Sequence, residues 1–171
     1  FDASKFKTRM ACEVKNFDVA KFIDRKESRK MDRYSQFGVI ASDLAMADAG
    51  LNQDNVDPDR AGVVFGSGIG GLDTFFTEVR DFVKGDGTPR FNPFFIPKMI
   101  VDIAAGLISM RHNLRGPNFA VVSACATSSN AIVSGLDLLR LGKADIILAG
   151  GSEASVNEVS MGGFNAMKAL S

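Results

Sequence analysis

Residues 119–127 read Phe-Ala-Val-Val-Ser-Ala-Cys-Ala-Thr, and this segment is the most informative one for the fold class. An apolar run comes first, small residues surround Cys125, and residues 128–141 then follow with helical spacing as far as Gly142. A continuous apolar run that turns directly into a helix is typical of a strand buried in a parallel sheet. The sequence therefore predicts a strand over 119–122, a tight turn at Cys125 and a helix beyond it.

The rest of the chain repeats this alternation of strand and helix. Short apolar runs that end in glycine predict two further strands, over 61–65 and 145–149. Apolar residues at helical spacing predict helices over 31–49, 72–83, 98–110 and 156–169. We therefore expect an α/β class, with a parallel sheet covered by helices on both faces.

The composition is that of a packed globular domain. Of 171 residues, 46% are hydrophobic and 23% are charged, and 20 basic side chains balance 20 acidic ones. A net charge of zero gives no general attraction to nucleic acid or to an anionic membrane. No apolar run reaches the roughly 20 residues that cross a bilayer. From the net charge and the missing apolar run together, we expect neither nucleic acid nor a membrane as a partner.

The two cysteines and the chain ends bear on location and completeness. Cys12 and Cys125 are far apart and form neither a disulfide framework nor a metal-ligand cluster, so we predict no metal. Nothing at the amino terminus of the sequence resembles a signal peptide, so a reducing cytoplasm is the expected location. The chain begins at Phe1 and stops at Ser171 without a terminal turn. We expect a piece that is incomplete at both ends.

A glycine-rich loop offers a competing interpretation. Residues 66–71 read Gly-Ser-Gly-Ile-Gly-Gly and match the dinucleotide pattern G-x-G-x-x-G. That fold requires a second strand, ending in an acidic residue, soon after the helix. Here residues 85–97 are instead broken by glycine and proline, and Asp86 lies in a turn. We therefore interpret the loop as a tight turn where two backbones approach closely.

Cys125 is the strongest candidate nucleophile. Helix N-termini carry unpaired amides and a partial positive charge, which stabilise a thiolate. The thiolate is the form of cysteine that attacks acyl groups. Cys12 lies outside any motif, and we expect it to be a small buried filler.

Several segments, in order, resemble the β-ketoacyl-[acyl carrier protein] synthases. The chain is similar to the elongating, type II-like branch of that family over essentially its whole length. The matching segments are Ser28-Arg29-Lys30-Met31-Asp32, Gly66 to Gly71, Asn92-Pro93-Phe94-Phe95-Ile96-Pro97, Leu114-Arg115-Gly116-Pro117, Ala124-Cys125-Ala126-Thr127-Ser128, Ala149-Gly150-Gly151-Ser152-Glu153 and Gly162-Gly163-Phe164.

The resemblance implies a thiolase-like layered fold, αβαβα, built from two similar halves. This chain, residues 1–171, would be the first half, with the carboxy-terminal half absent. In the family a cysteine, here Cys125, accepts an acyl chain, and decarboxylation of malonyl-acyl carrier protein gives the carbanion that attacks it. The oxyanion hole would use the Cys125 amide and a second amide from the absent half. The two histidines that assist would also lie there, and we expect His112 to be a surface loop residue.

The resemblance also implies residues that bind the substrate and its carrier. The acyl pocket would be formed by Ile69, Phe95, Ile96, Ile100 and Phe164. Ile69 and Phe164 would act as gates beside the sulfur, and Phe95 would reach across a homodimer interface. Acidic acyl carrier protein would dock on Lys26, Arg29, Lys30 and Arg90. No cofactor is expected, because the substrates are carried on the phosphopantetheine of the carrier.

Other assignments stay open at this level. A thiolase or a coenzyme A-using synthase shares the fold and the cysteine, but the residues around Cys125 and the basic stretch favour carrier-protein substrates. A polyketide synthase ketosynthase is a closer alternative, which this half of the sequence leaves open. A non-catalytic partner subunit of the chain-length-factor kind fits the fold, although such subunits usually lack the cysteine.

Overall fold

A computed structural model describes residues 1–170, which form seven α-helices and three β-strands within that range. The elements are, in order, α1 (Arg25–Ser28), α2 (Arg33–Asp48), β1 (Ala61–Gly66), α3 (Leu72–Lys84), α4 (Phe95–Met99), α5 (Ile103–His112), β2 (Asn118–Phe119), α6 (Thr127–Arg140), β3 (Ile146–Gly151) and α7 (Glu158–Ala166).

The strands form one sheet in the order β2-β1-β3, with both pairings parallel. Ala61 pairs with Ile146 at one end of the sheet and Gly66 with Gly151 at the other. All three strands therefore point the same way, and the loops that follow them meet at one edge. The predicted α/β class with a parallel sheet is confirmed.

The two faces of β1 pack against different helices, since successive side chains of a strand point to opposite sides. Val63 and Phe65 lie in a buried core with residues of α2 and α5. On the opposite face α6 lies close to β3, where a Cβ added at Gly135 would be 3.2 Å from the Ala149 side chain. The result is a three-layer arrangement with the sheet in the middle.

The outer side of α6 remains open, and it is apolar. Ile132 and Val133 are 58% and 55% exposed, and Leu136 and Leu139 on the same helix are also exposed. The edge strand β3 is at most half-buried, although β1 is buried throughout. Both faces of β3 are nevertheless covered within residues 1–170, because Ile146 and Leu148 pack against the core on one side and α6 lies against the other.

Three predicted boundaries differ from the structure. The single helix expected over 98–110 is two helices, α4 and α5, because Ile100 is extended and its carbonyl accepts a 2.6 Å hydrogen bond from the Tyr34 hydroxyl. The strand expected over 119–122 pairs only at Asn118–Phe119 before the chain turns towards Cys125. The helix expected over 156–169 is shorter at both ends.

Candidate active site

Cys125 lies in a single 3-10 turn, Ala124–Ala126, that leads directly into α6. The residue before it, Ala124, has a φ of 50°, in the left-handed region that non-glycine residues rarely adopt. Such a conformation costs on the order of 1–3 kcal/mol and persists only where the surroundings enforce it. The turn therefore presents the thiol at the amino terminus of a 14-residue helix, as the sequence predicts.

Thr127 is the residue that holds this turn in place. Its hydroxyl donates to the Ala124 carbonyl at 2.7 Å and accepts from the Ser123 amide at 3.0 Å. The side chain is only 4% exposed, so water does not compete for either bond. On the next turn of α6, the Asn130 amide donates to the Ser123 hydroxyl at 2.7 Å. Ser123 and Ala124, the two residues before Cys125, are thus both bonded to side chains of α6.

Glycines allow β1 to lie directly against this turn. A Cβ added at Gly66 would be 1.9 Å from the Val121 carbonyl oxygen and 2.6 Å from the Thr127 methyl group. At Gly71, the added atom would be 2.2 Å from the Lys98 carbonyl oxygen. These distances confirm the interpretation of the glycine-rich loop as a turn where backbones approach closely.

Cys125 is exposed and opens into a cavity of about 310 Å³. Ile69 and Phe164, the two predicted gates, line the same cavity. The remaining walls come from the glycine-rich loop, the start of α6 and the end of β3: Gly66, Ser67, Gly68, Ala124, Thr127, Ser128, Gly151, Ser152, Glu153 and Ser155. The structure therefore brings the candidate nucleophile Cys125 and two large apolar side chains into one cavity.

The other predicted acyl-pocket residues lie outside this cavity. Phe95 stacks with Phe91, with ring centroids 5.4 Å apart, and with Phe75 at 6.3 Å. Ile96 and Ile100 are exposed near it, at 51% and 43%. Their assignment to an acyl pocket stays a prediction.

The predicted carrier-docking residues Lys26, Arg29 and Lys30, which we call the docking cluster, are all exposed on and just after α1. Lys30 lies 5.7 Å from the centre of the Phe94 ring, which joins the cluster to the loop before α4. Arg90 is on that loop, but it pairs with Asp86 at 3.3 Å. The cluster is therefore accessible, whereas the charge of Arg90 is partly balanced.

A buried carboxylate links the docking cluster to the helix that follows the glycine-rich loop. Asp32, two residues after Lys30, is 4% exposed and caps α2 by accepting from the Tyr34 amide at 3.3 Å. Its second oxygen accepts from both the amide and the hydroxyl of Thr74 in the first turn of α3. The family resemblance includes Asp32 in the segment Ser28 to Asp32 but implies no role for it. An acid two positions before the first apolar helical residue is the signal that indicates a cap.

The expectations for His112 and Cys12 are wrong. His112 is not in a surface loop: it ends α5, its side chain is 14% exposed, and its Nε2 lies 3.0 Å from the Ser42 hydroxyl and 3.3 Å from Asp43. Burial lowers the pKa of His112 by more than the negative charge of Asp43 raises it.

Cys12 is not a buried filler, since it is exposed and lines a different cavity of about 270 Å³. Its segment carries charge at Glu13 and Lys15, which keeps it at the surface.

Within residues 1–170 no helix is both long and apolar enough to cross a bilayer. The same range contains no group of three or more histidine, cysteine or acidic side chains arranged to hold a metal ion.

Comparisons with known proteins place these features in a family. A sequence profile described as "Beta-ketoacyl synthase, N-terminal domain" matches residues 2–171. The 3-oxoacyl-[acyl-carrier-protein] synthase 2 of Staphylococcus aureus is 39% identical over 170 residues, which are 99% of this chain and 41% of that protein. The protein of the same name from Vibrio cholerae is 40% identical, over 100% of this chain and 41% of its own length.

A solved structure agrees with the sequence matches. A β-ketoacyl synthase from Burkholderia phymatum superimposes with a TM-score of 0.83 at 30% identity, covering 97% of this chain and 40% of that one. The thiolase-like α/β fold that the sequence predicts is therefore confirmed. The chain spans about two fifths of the length of these relatives.

Proposed function

Since this chain belongs to the β-ketoacyl synthase family and matches its amino-terminal domain, we propose that the whole protein is a 3-oxoacyl-[acyl-carrier-protein] synthase of fatty acid elongation. Such an enzyme is an acyltransferase. The observation that carries the proposal is the position of Cys125, exposed at the amino terminus of α6 in a cavity that Ile69 and Phe164 also line. A thiolate there could attack a thioester while its acyl chain rests on apolar side chains.

The reaction has two stages. In the first, the Cys125 thiolate attacks the carbonyl carbon of an acyl thioester, and the thiol of the carrier leaves. In the second, malonyl-acyl carrier protein loses carbon dioxide, and the resulting carbanion attacks the Cys125 thioester. A carbon–carbon bond forms, the sulfur–carbon bond breaks, and the thiolate is regenerated with release of the β-ketoacyl product. No bound cofactor takes part in this scheme.

The carrier and the acyl chain would meet the protein at separate places. The exposed docking cluster, with Arg90 nearby, suits an acidic partner, because complementary charge steers association. The acyl chain would extend from Cys125 past Ile69 and Phe164, and Phe95, Ile96 and Ile100 would line the pocket further along. We include in the proposal a cytoplasmic homodimer in which Phe95 contacts the partner subunit.

The apolar outer side of α6 supports a second half of the protein. Soluble proteins rarely leave a contiguous apolar face of this kind uncovered, and the relatives are more than twice as long as the matched region. The proposal therefore includes a carboxy-terminal half that covers α6 and supplies the two histidines and the second oxyanion amide. The one histidine of this chain, His112, is engaged with Ser42 and Asp43 and does not line the Cys125 cavity.

Two alternatives are weaker. A polyketide ketosynthase would use the same nucleophile, but the two curated relatives at 39% and 40% identity are named for acyl-carrier-protein synthases. A non-catalytic partner subunit would need neither Cys125 nor the strained turn that presents it.

Acylation of the whole protein tests the proposal, and Cys12, which is exposed like Cys125, is the matched control. After incubation with an acyl-carrier thioester, peptide mass spectrometry should find the acyl group on Cys125. Cys125→Ser should abolish condensation, whereas Cys12→Ser should leave it within about twofold of wild type, because only Cys125 lies at a helix amino terminus. Acyl groups confined to Cys12, or condensation by the Cys125→Ser variant, would refute the assignment.

A further inference from the structure

One carboxylate holds the loop that carries the Ile69 gate. Glu153 follows β3, and its two oxygens accept three hydrogen bonds. One oxygen accepts from the Ser67 hydroxyl at 3.0 Å and from the Ser155 hydroxyl at 2.9 Å. The other accepts from the Ile69 amide at 2.9 Å. The backbone of the gate residue is therefore bonded directly to Glu153.

The loop around Ile69 has little room to move away from this contact. Ser67 is 1% exposed, and its hydroxyl also accepts from the Gly70 amide at 3.1 Å, which closes the loop on itself. A Cβ added at Gly68 would lie 3.1 Å from the Glu153 carboxylate and 3.2 Å from the Ala124 carbonyl. The loop is thus packed between Glu153 on one side and the turn that presents Cys125 on the other.

The chemistry of these contacts favours a carboxylate at this position. All three partners can donate, and an ionised carboxylate only accepts. Hydrogen bonds to a charged acceptor are also stronger than those between neutral groups. A glutamine could keep the bond from the Ile69 amide through its oxygen, but its NH₂ group would then face the two hydroxyls.

We propose that Glu153 is a positioning residue that sets acyl-chain selectivity by fixing Ile69 in the wall of the Cys125 cavity. The inference rests on the proposed function, because it takes that cavity as the acyl site. Glu153 acts through the loop and takes no part in bond making. When its bonds are lost, Ile69 is free to move out of the cavity wall, and longer acyl chains gain space.

The test compares acylation of Cys125 by a butyryl and a myristoyl carrier thioester in the whole protein. Both substrates meet the same thiol, so any change in its reactivity cancels in the ratio of the two rates. Glu153→Ala should shift this ratio about tenfold or more towards myristoyl, since it removes three hydrogen bonds to a charged group. Glu153→Gln should shift it less, and Glu158→Ala, at an exposed acid outside the cavity, should leave it unchanged.

Each outcome decides one question. If wild-type Cys125 takes up neither acyl group, the proposed function fails. If wild type is acylated but Glu153→Ala keeps the wild-type ratio, or shifts it towards butyryl, the role of Glu153 is refuted. Should Glu153→Ala fail to fold, Ser67→Ala provides the second variant, because it removes the neighbouring anchor of the loop. An unchanged ratio in both Ser67→Ala and Glu153→Gln would then refute the inference.

Discussion

Replacing Gly66 with alanine should destabilise the protein and disturb the site together. The new Cβ would be 1.9 Å from the Val121 carbonyl oxygen, whereas Cβ atoms in proteins essentially never come closer than 3.0 Å to such an atom. The obstacle is a backbone, so relief requires β1 and the segment before Cys125 to separate by about 1 Å. Overpacking of this kind costs about 1–3 kcal/mol, occasionally more. We expect a loss of about 3 kcal/mol, a large part of a typical total stability of about 5–15 kcal/mol.

Urea unfolding of the whole protein measures this loss, with Gly106→Ala as the control. Gly106 lies within α5 and has no atom within 4 Å of an added Cβ. Alanine is the better helix former, so that variant should gain about 0.4–1 kcal/mol. Gly66→Ala should also slow alkylation of Cys125, because the strained turn shifts. A Gly66→Ala protein with the wild-type urea midpoint would refute the close approach of the two backbones.

Two further predictions concern surface charge and pH. Reversing all three charges of the docking cluster should lower turnover of a carrier thioester about tenfold more than turnover of a small pantetheine thioester, and added salt should lower wild-type turnover of the carrier thioester. As a control, reversing the charges of the exposed Lys7, Lys84 and Lys143 should leave the ratio of the two turnover rates unchanged. Equal losses with both substrates would contradict docking. Burial lowers the pKa of His112 below its usual 6.5, so the unfolded chain takes up the proton first as pH falls. The free energy of unfolding should therefore decrease as the pH falls below about 6.5, and His112→Gln should make that decrease smaller. The same pH dependence in the His112→Gln variant would show that His112 does not contribute.

Local patterns in the sequence predict most of the fold. The strands β1 and β3 and the helices α2, α3 and α6 all lie where apolar periodicity places them. The break between α4 and α5 could not be predicted in this way. It depends on the Tyr34 hydroxyl reaching the Ile100 carbonyl, a contact between residues far apart in the chain. The pattern of apolar residues carries no information about such a bond.

In the site, as in the fold, local sequence predicts some features, whereas others depend on contacts between residues far apart in the chain. Cys125 could be found from its local context of small residues between a strand and a helix. The joint presence of Ile69 and Phe164 beside it came from the family resemblance, since either residue alone looks like ordinary core. The role of Glu153 could not be predicted from its own segment, because its partners Ser67 and Ile69 lie on the loop after another strand. Only the parallel pairing of β1 with β3 brings these segments together.

Under the proposed function, the two stages of the reaction would depend on different residues. Everything that presents the thiol is local to this chain: the left-handed Ala124, the Thr127 hydroxyl that holds the turn, and the close approach of Gly66. The only histidine, His112, does not line the cavity, so no imidazole of this chain is placed to assist carbanion formation. Acyl transfer should therefore depend chiefly on residues of this half. The second oxyanion amide, which the proposal assigns to the carboxy-terminal half, would also assist acyl transfer. Decarboxylation would depend on the two histidines of that proposed half, because no histidine of this chain lines the cavity.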